Sequence, residues 1–269
     1  MGARVTVEWS QAARFARLCG ALSVPVLVLT GLGHRYELVP ELALLALIST
    51  GIVLALLAMA AGFYALVDIW KNGDQGAGSA VLAIFYAVPG VALFAGSVYA
   101  LAVYPQLNDV STDIVDPPGY LALIGQAPDR TNLPDEDQRQ AQIAAYPDIT
   151  ARLYPVDIAR VFEAVHGLVE QREWPIVGQT PPAAATQGAQ PAQQQAVIQV
   201  IAQTLLFRFT DHVVIRMVPE AGGVRVDIRS ASTFGRHDLG QNARRIRALL
   251  ADLDLALQGE RNDLQSANR

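Results

Sequence analysis

The sequence has a single cysteine, Cys19, so neither an intrachain disulfide nor a cysteine-based metal site can form. Its four histidines, His34, His166, His212 and His237, show no H-x₃₋₅-H ligand spacing, and no metal or other cofactor is expected. Charge is scarce too: 17% of the 269 residues are charged, against roughly 25% in an ordinary soluble domain. A hydrophobic share of 52% argues against a disordered chain. A mean hydropathy of +0.26 argues against a wholly water-soluble protein.

The scarcity of charge is uneven. Residues 1–103 carry Glu8, Glu37, Glu41, Asp68 and Asp74 against Arg4, Arg14, Arg17, Arg35 and Lys71, for a net charge of zero. Residues 104–269 hold twenty acidic residues and fifteen arginines, which account for the whole net charge of −5. The first part reads as a lipid solute and the second as a globular domain.

Between Glu41 and Asp68 lie 26 uncharged residues, and between Asp74 and Asp109 lie 34. About 20 apolar residues span the hydrocarbon core, so transmembrane helices are expected at about 43–67 and 79–103. A third, at about 12–33, is shorter in its uncharged part and contains Pro25. It spans if Arg14 and Arg17 snorkel to the interface. This segment reads either as a retained helix or as a cleaved signal sequence. The residues after it, Thr30-Gly31-Leu32-Gly33-His34, show no small-x-small cleavage site ending in alanine, which favours retention.

The bias of Arg4, Arg14, Arg17 and Lys71 against Arg35 puts the N-terminus and the second loop in the cytoplasm. Residues 104–269 are then expected in the periplasm of a bacterium, behind a multi-pass inner-membrane anchor. The bilayer is the first partner, with a membrane or periplasmic protein as a possible second. No ionisable group lies inside the second or third span, which speaks against a pump or channel. Ala92, Gly96 and Ala100 form a small-xxx-small stripe, expected to pack within the chain's own bundle or else to face another membrane protein.

Past the membrane, residues 104–138 read as irregular, with a turn at Asp116-Pro117-Pro118-Gly119 and a solvated acidic loop at Pro134-Asp135-Glu136-Asp137. Short strands are expected at 149–153 and 174–178. Between them, a helix at 155–171 carries the stripe Ile158, Val161, Phe162, Val165, Leu168 and Val169, with Pro155 in its first turn. Residues 180–196 are a Pro/Ala/Gln-rich flexible connection, followed by a strand at 199–209. Val213, Ile215 and Met217 alternate, as do Val224, Val226 and Ile228, which predicts a β-hairpin.

Apolar faces coincide only when the numbers of paired residues sum to an odd value. A sum of 441 sets Met217 opposite Val224, Val214 opposite Asp227, His212 opposite Arg229 and Arg216 opposite Arg225. That like-charge pair would lean on Asp227, and Arg229 would be locked to Asp227 or Asp211. A last helix at 239–257 buries Ile246, Leu249, Leu250, Leu253 and Leu257, with Asp238 as N-cap and Gln241 as capping-box partner. The helix arginines Arg244, Arg245 and Arg247 point to polar surroundings. The whole is a membrane-anchored α+β chain: three helices at 1–103, then a soluble antiparallel sheet covered by two helices at 104–258. Residues 259–269 are expected as a disordered tail.

Residues 226–232 (VDIRSAS) and 235–247 (GRHDLGQNARRIR) resemble the signature of the domain of unknown function 1499 family. So do residues 108–113 (NDVSTD) with Asp116-Pro117-Pro118, and residues 209–216 (FTDHVVIR). The resemblance covers roughly 104–257 and implies a fold behind N-terminal hydrophobic segments, without a mechanism. An acidic residue is common at the second place of the Asp-Asp pair, where this chain has His212.

The candidate polar cluster comprises Asp109, Asp113, Asp211, Arg216, Asp227, Arg229, Ser230, Ser232, Arg236, Asp238, Asn242 and Arg245. Asp109 and Asp113 flank Ser111 and Thr112 in a spacing that matches no EF-hand loop and reads better as a side-chain-capped turn. Ser230, Ser232, His237 and Asp238 are triad residue types, but the G-x-S-x-G elbow is absent and an adjacent His and Asp cannot form an oriented pair. No catalytic residue is assigned. Converging arginines could instead hold a phosphate or carboxylate, which leaves an enzyme or anion-binding domain as the alternative to a partner- or amphiphile-binding one. The acidic domain disfavours nucleic acid.

Overall fold

A computed structural model describes residues 8–121, 134–182, 194–204 and 207–267, with side chains up to residue 258 in the last helix. The chain forms two compact units, one of 1–100 with the segment Leu206–Arg208, the other of Leu101–Leu205 with Phe209–Arg269.

The first unit holds three helices long and apolar enough to cross a membrane: α1 (Gln11–Arg35), α2 (Glu41–Asn72) and α3 (Ala77–Val103). Ser10 caps α1, its hydroxyl accepting from the Ala13 N–H at 3.3 Å. Between apolar helices in lipid there is little hydrophobic drive, so close van der Waals approach of small residues has to hold them. A Cβ added to Gly20 would stand 2.9 Å from the Ala83 carbonyl oxygen, and one on Gly90 would stand 2.5 Å from the Ala55 Cβ. Ala80, Ala83, Ala87 and Gly90 are the buried stripe of α3. The stripe expected to do this, Ala92, Gly96 and Ala100, lies on another face: Ala92 and Gly96 are exposed, and Gly96 has nothing within 4 Å of a Cβ.

The second unit is built on a six-stranded antiparallel sheet. Its strands are β1 (Asp109–Ser111), β2 (Arg152–Tyr154), β3 (Ile176–Thr180), β4 (Ala196–Gln203), β5 (Thr210–Glu220) and β6 (Gly223–Ser232). Their order is β1-β6-β5-β4-β3, with β2 also pairing β6 beyond β1. Helices α5 (Ile158–Gln171) and α6 (Gln241–Ala267) pack on one face around a core of Val161, Val165, Ile198, Val213, Ile215, Met217, Ile228, Ile246, Leu249 and Leu253. A further short helix, α4 (Glu136–Ala145), lies at the β1 edge.

Several boundaries differ from the sequence reading. The acidic run at 134–137 is the start of α4: Asp135 and Gln138 form a reciprocal capping box, so the carboxylates sit where the helix dipole favours them. Gln142 then covers the open edge of β1, its amide donating to the Ser111 carbonyl at 2.6 Å while its oxygen accepts from the Ser111 N–H at 3.2 Å. Helix α5 starts at Ile158 because Asp157 caps it, accepting from the Arg160 N–H, and Pro155 stays outside. The bulk of the expected flexible connection, 183–193, lies outside the described residues. Helix α6 runs to Ala267, so residues 259–267 are helical where a tail was expected; a nucleated helix propagates through a segment without proline.

The hairpin keeps the expected parity with a different sum. Met217 pairs Val226, Ile215 pairs Ile228 and Glu220 pairs Gly223, a sum of 443. Its turn is Ala221-Gly222, where Gly222 and Gly223 take φ of 96° and 153°. The shift by two residues sets Arg216 opposite Asp227 and moves Arg225 opposite Val218. Opposite charges across a strand pair stabilise and like charges destabilise, so the side chains favour the observed register over the one that confronts two arginines.

Candidate functional site

The two faces of the sheet divide the candidate cluster. Away from the helices, β1, β5 and β6 present Asp109, Arg216, Arg225, Asp227 and Arg229, and the segment 112–121 lies over them. Arg216 Nη1 donates to Asp116 Oδ2 at 2.8 Å; its Nη2 donates to Asp227 Oδ2 at 3.1 Å, to Asp113 Oδ2 at 3.3 Å and to the Asp116 carbonyl at 2.8 Å. Arg225 donates to Glu220 at 2.7 Å and to Asp113 at 3.1 Å, and its Nη1 is 3.2 Å from Asp227 Oδ2. Arg229 is 1% exposed. It forks onto Asp109, with Nη2 to Oδ2 at 2.5 Å, and lies 4.8 Å from the ring centroid of Tyr120.

Burial decides which way the carboxylates titrate. Asp227 is fully buried, and that desolvation outweighs Arg216 and Arg225, so its carboxyl sits above the usual range. Burial also raises Asp113, but N–H groups of Asp116 and Val115 together with Arg225 and Arg216 more than offset it, leaving Asp113 below its ordinary value. Desolvation would lower Arg229, yet its bonds to and attraction by Asp109 win and hold it charged. Burial pushes the Tyr120 hydroxyl upward.

On the helix-covered face a second network joins β5, β6 and α6. Arg245 pairs with Asp211 and donates to Ser230 Oγ at 2.9 Å and Asn242 Oδ1 at 2.8 Å. The Asn242 amide donates to the Asn108 carbonyl and to Ser232 Oγ, both at 3.1 Å. Asp238 accepts from the N–H groups of Gly240 and Asn242, so it caps α6 as expected, but from further out, with Gln241 the first helical residue. Its burial outweighs those two bonds and raises its carboxyl.

The structure therefore brings Asp113, Arg216 and Asp227 together, places Asp109 with Arg229, and gathers Asp211, Ser230, Ser232, Asp238, Asn242 and Arg245 on the opposite face. Arg236 is exposed and outside both networks. The lock on Arg229 is Asp109, brought to it by the β1–β6 pairing, while Asp211 lies on the other face of the sheet, where it takes the inward-facing Arg245. Asp113 does cap a turn, accepting from Val115 and Asp116 N–H groups. Asp227 pairs with both Arg216 and Arg225, as the sequence reading expected, although the hairpin register differs; the candidate cluster did not include Thr112, Asp116 or Tyr120. Asp116 meets Arg216 across 100 positions of chain, and only the proline-rich turn hinted that this segment has a fixed course.

Chemically, the outer face carries Arg216, Arg225 and Arg229 against Asp109, Asp113, Asp116, Glu220 and Asp227, an excess of negative charge that repels an added anion. Each of these guanidinium groups is held by carboxylate, and the network fastens 112–121 to the sheet. Among the described residues no group of His, Cys, Asp and Glu could hold a metal ion. His212 is buried, edge-on to Tyr120 at 5.9 Å between centroids and 3.4 Å from the Gln199 amide nitrogen.

The largely apolar space lies in the helical unit. A hollow of about 500 Å³ is lined by Leu27, Val28, Gly31 and Leu32 of α1, Pro89 and Leu93 of α3, Phe207, and Arg35.

No curated protein and no solved structure matches the chain. The family model described as "Protein of unknown function (DUF1499)" matches residues 109–253, which takes in all six strands and the first part of α6. On that match, over more than half its length, the chain belongs to the DUF1499 family.

Proposed function

We propose that this is an inner-membrane protein with its N-terminus in the cytoplasm and residues 104–269 in the periplasm. In this reading it works by binding an amphiphilic ligand or a partner protein, in envelope maintenance or complex assembly. The observation that carries the reading is the hollow between α1 and α3. Its volume of about 500 Å³ falls in the range of roughly 300–1,000 Å³ typical of small-ligand sites. Leucine, valine and phenylalanine walls suit an acyl chain, and Arg35 supplies one cation for an anionic head. This favours the amphiphile over the partner protein.

A photoreactive residue at Leu32, inside the hollow, and another at exposed Val98 test this in native membranes. The position-32 adduct is expected to be one discrete lipid-like species that position 98 does not capture. A discrete protein adduct at 32 would favour the partner reading. The same mixture of bulk lipids at both positions would overturn binding at the hollow.

A further inference from the structure

We propose that the opposite end of α1 carries a site for an anionic phospholipid. Arg14, Arg17, Leu18 and Ala21 follow one another at i, i+3, i+4 and i+7, so they share a face of α1. With Trp9 and Ser79 they line a hollow of about 510 Å³. A second hollow, about 630 Å³, shares Trp9, Arg17 and Ser79 and continues over Gly76, Gly78 and Leu82.

The wall is fixed in place. The Ser10 N–H donates to the Gln75 carbonyl at 3.0 Å and the Gln75 N–H to the Glu8 carbonyl at 2.8 Å, which pins Trp9 against the α2–α3 turn. The Arg14 guanidinium lies 5.9 Å from the Trp9 ring centroid.

Charge identifies the occupant. In the C-terminal unit Arg216, Arg225, Arg229, Arg245 and Arg247 are each tied to a carboxylate. Arg14 and Arg17 are exposed and form no ion pair among the described residues. No carboxylate lines the first hollow. The acidic neighbour Asp74 lines the second, where it accepts from the Glu8 N–H. Two guanidinium groups at the start of a membrane span, beside an interfacial tryptophan, match a phosphate at headgroup depth. Leu18 and Ala21, deeper on the same face, match the acyl chain below it. A free phosphate would meet the arginines and leave that apolar wall empty.

Native mass spectrometry of the full chain in a non-ionic detergent, titrated with phosphatidylglycerol or phosphatidylcholine, reads the site. Phosphatidylglycerol is expected to be retained preferentially. Arg14→Gln and Arg17→Gln should each weaken it about fivefold, the scale of one arginine's attraction to anionic lipid. Lys71→Gln, which removes a cation from the neighbouring helix end, should leave it unchanged. Equal retention of both lipids, or an equal loss with Lys71→Gln, would overturn the site. Displacement by excess inorganic phosphate would show a free-anion site instead and overturn the lipid assignment. Should the arginine variants fail to fold, photoreactive phosphatidylglycerol on the wild type decides: adducts within residues 9–21 or 74–82 support the site, and adducts elsewhere sink it.

Discussion

Arg229 is a charged side chain with almost no contact with water, and it is tolerable only because Asp109, the Tyr120 ring and the Pro118 carbonyl surround it. Removing one partner of a buried pair costs about 3–5 kcal/mol, because the other charge remains without compensation, whereas replacing both by apolar groups can be nearly neutral. Arg229→Met should therefore lower the melting temperature of the C-terminal unit by about 6 °C or more. Adding Asp109→Leu should restore part of that loss. Thermal melts of the two single variants and the double one give the coupling; additive losses would show that the two charges do not stabilise each other. Asp113 makes the complementary case with pH. Its folded pKa lies below the unfolded value, so its contribution is present above about pH 4 and is lost as pH falls through the folded pKa. Asp113→Asn should be less stable than wild type at pH 7, with the gap closing on acidification towards pH 3, measured by melts across that range. Most members of these networks were legible as residue types in the sequence. Asp227 was legible as the partner of Arg216 and Arg225, but the partner of Arg229 was not, because Asp109 and Arg229 stand 120 positions apart and only the β1–β6 register brings them together.

At the scale of elements, that register depends on two glycines that the chain uses differently. A Cβ on Gly223 would stand 2.0 Å from the Tyr154 carbonyl oxygen, a backbone atom fixed by the β2–β6 pairing, while one on Gly222 would meet nothing within 4 Å. Both have positive φ, so alanine strains either, at about 1 kcal/mol for backbone alone. Gly222→Ala should cost about that much, and Gly223→Ala should cost several times more by forcing β2 away from β6. Denaturant titration of the two variants separates strain from collision, and equal losses would refute the close approach. Periodicity had predicted the hairpin strands, the three spans and helices α5 and α6, because each buries a repeating apolar face. It was blind to α4, whose only buried residue is Gln142, and to β1, three residues long. It could narrow the hairpin sum only to odd values; the choice of 443 over 441 rests on Asp227 facing Arg216 in place of Arg225.

For the whole molecule, the sparse average charge is a mixture of a net-neutral helical unit and an acidic unit in which Arg216, Arg225, Arg229, Arg245 and Arg247 are paired with carboxylates. The proposed orientation rests on Arg4, Arg14, Arg17 and Lys71 against Arg35. Long domains translocate largely regardless of their own charge, so the flanks of the three helices decide. Alkaline phosphatase, active only after export, should therefore be active when fused after residue 104 and inactive when fused after Gly73. Lys71→Glu together with Gln75→Glu should weaken that contrast by removing the second-loop cation on which the proposed orientation rests. An inactive fusion at 104 with an active one at 73 would invert the topology. It would place the DUF1499 domain in the cytoplasm, and the arginine-lined hollow at the start of α1 would then face the outer leaflet.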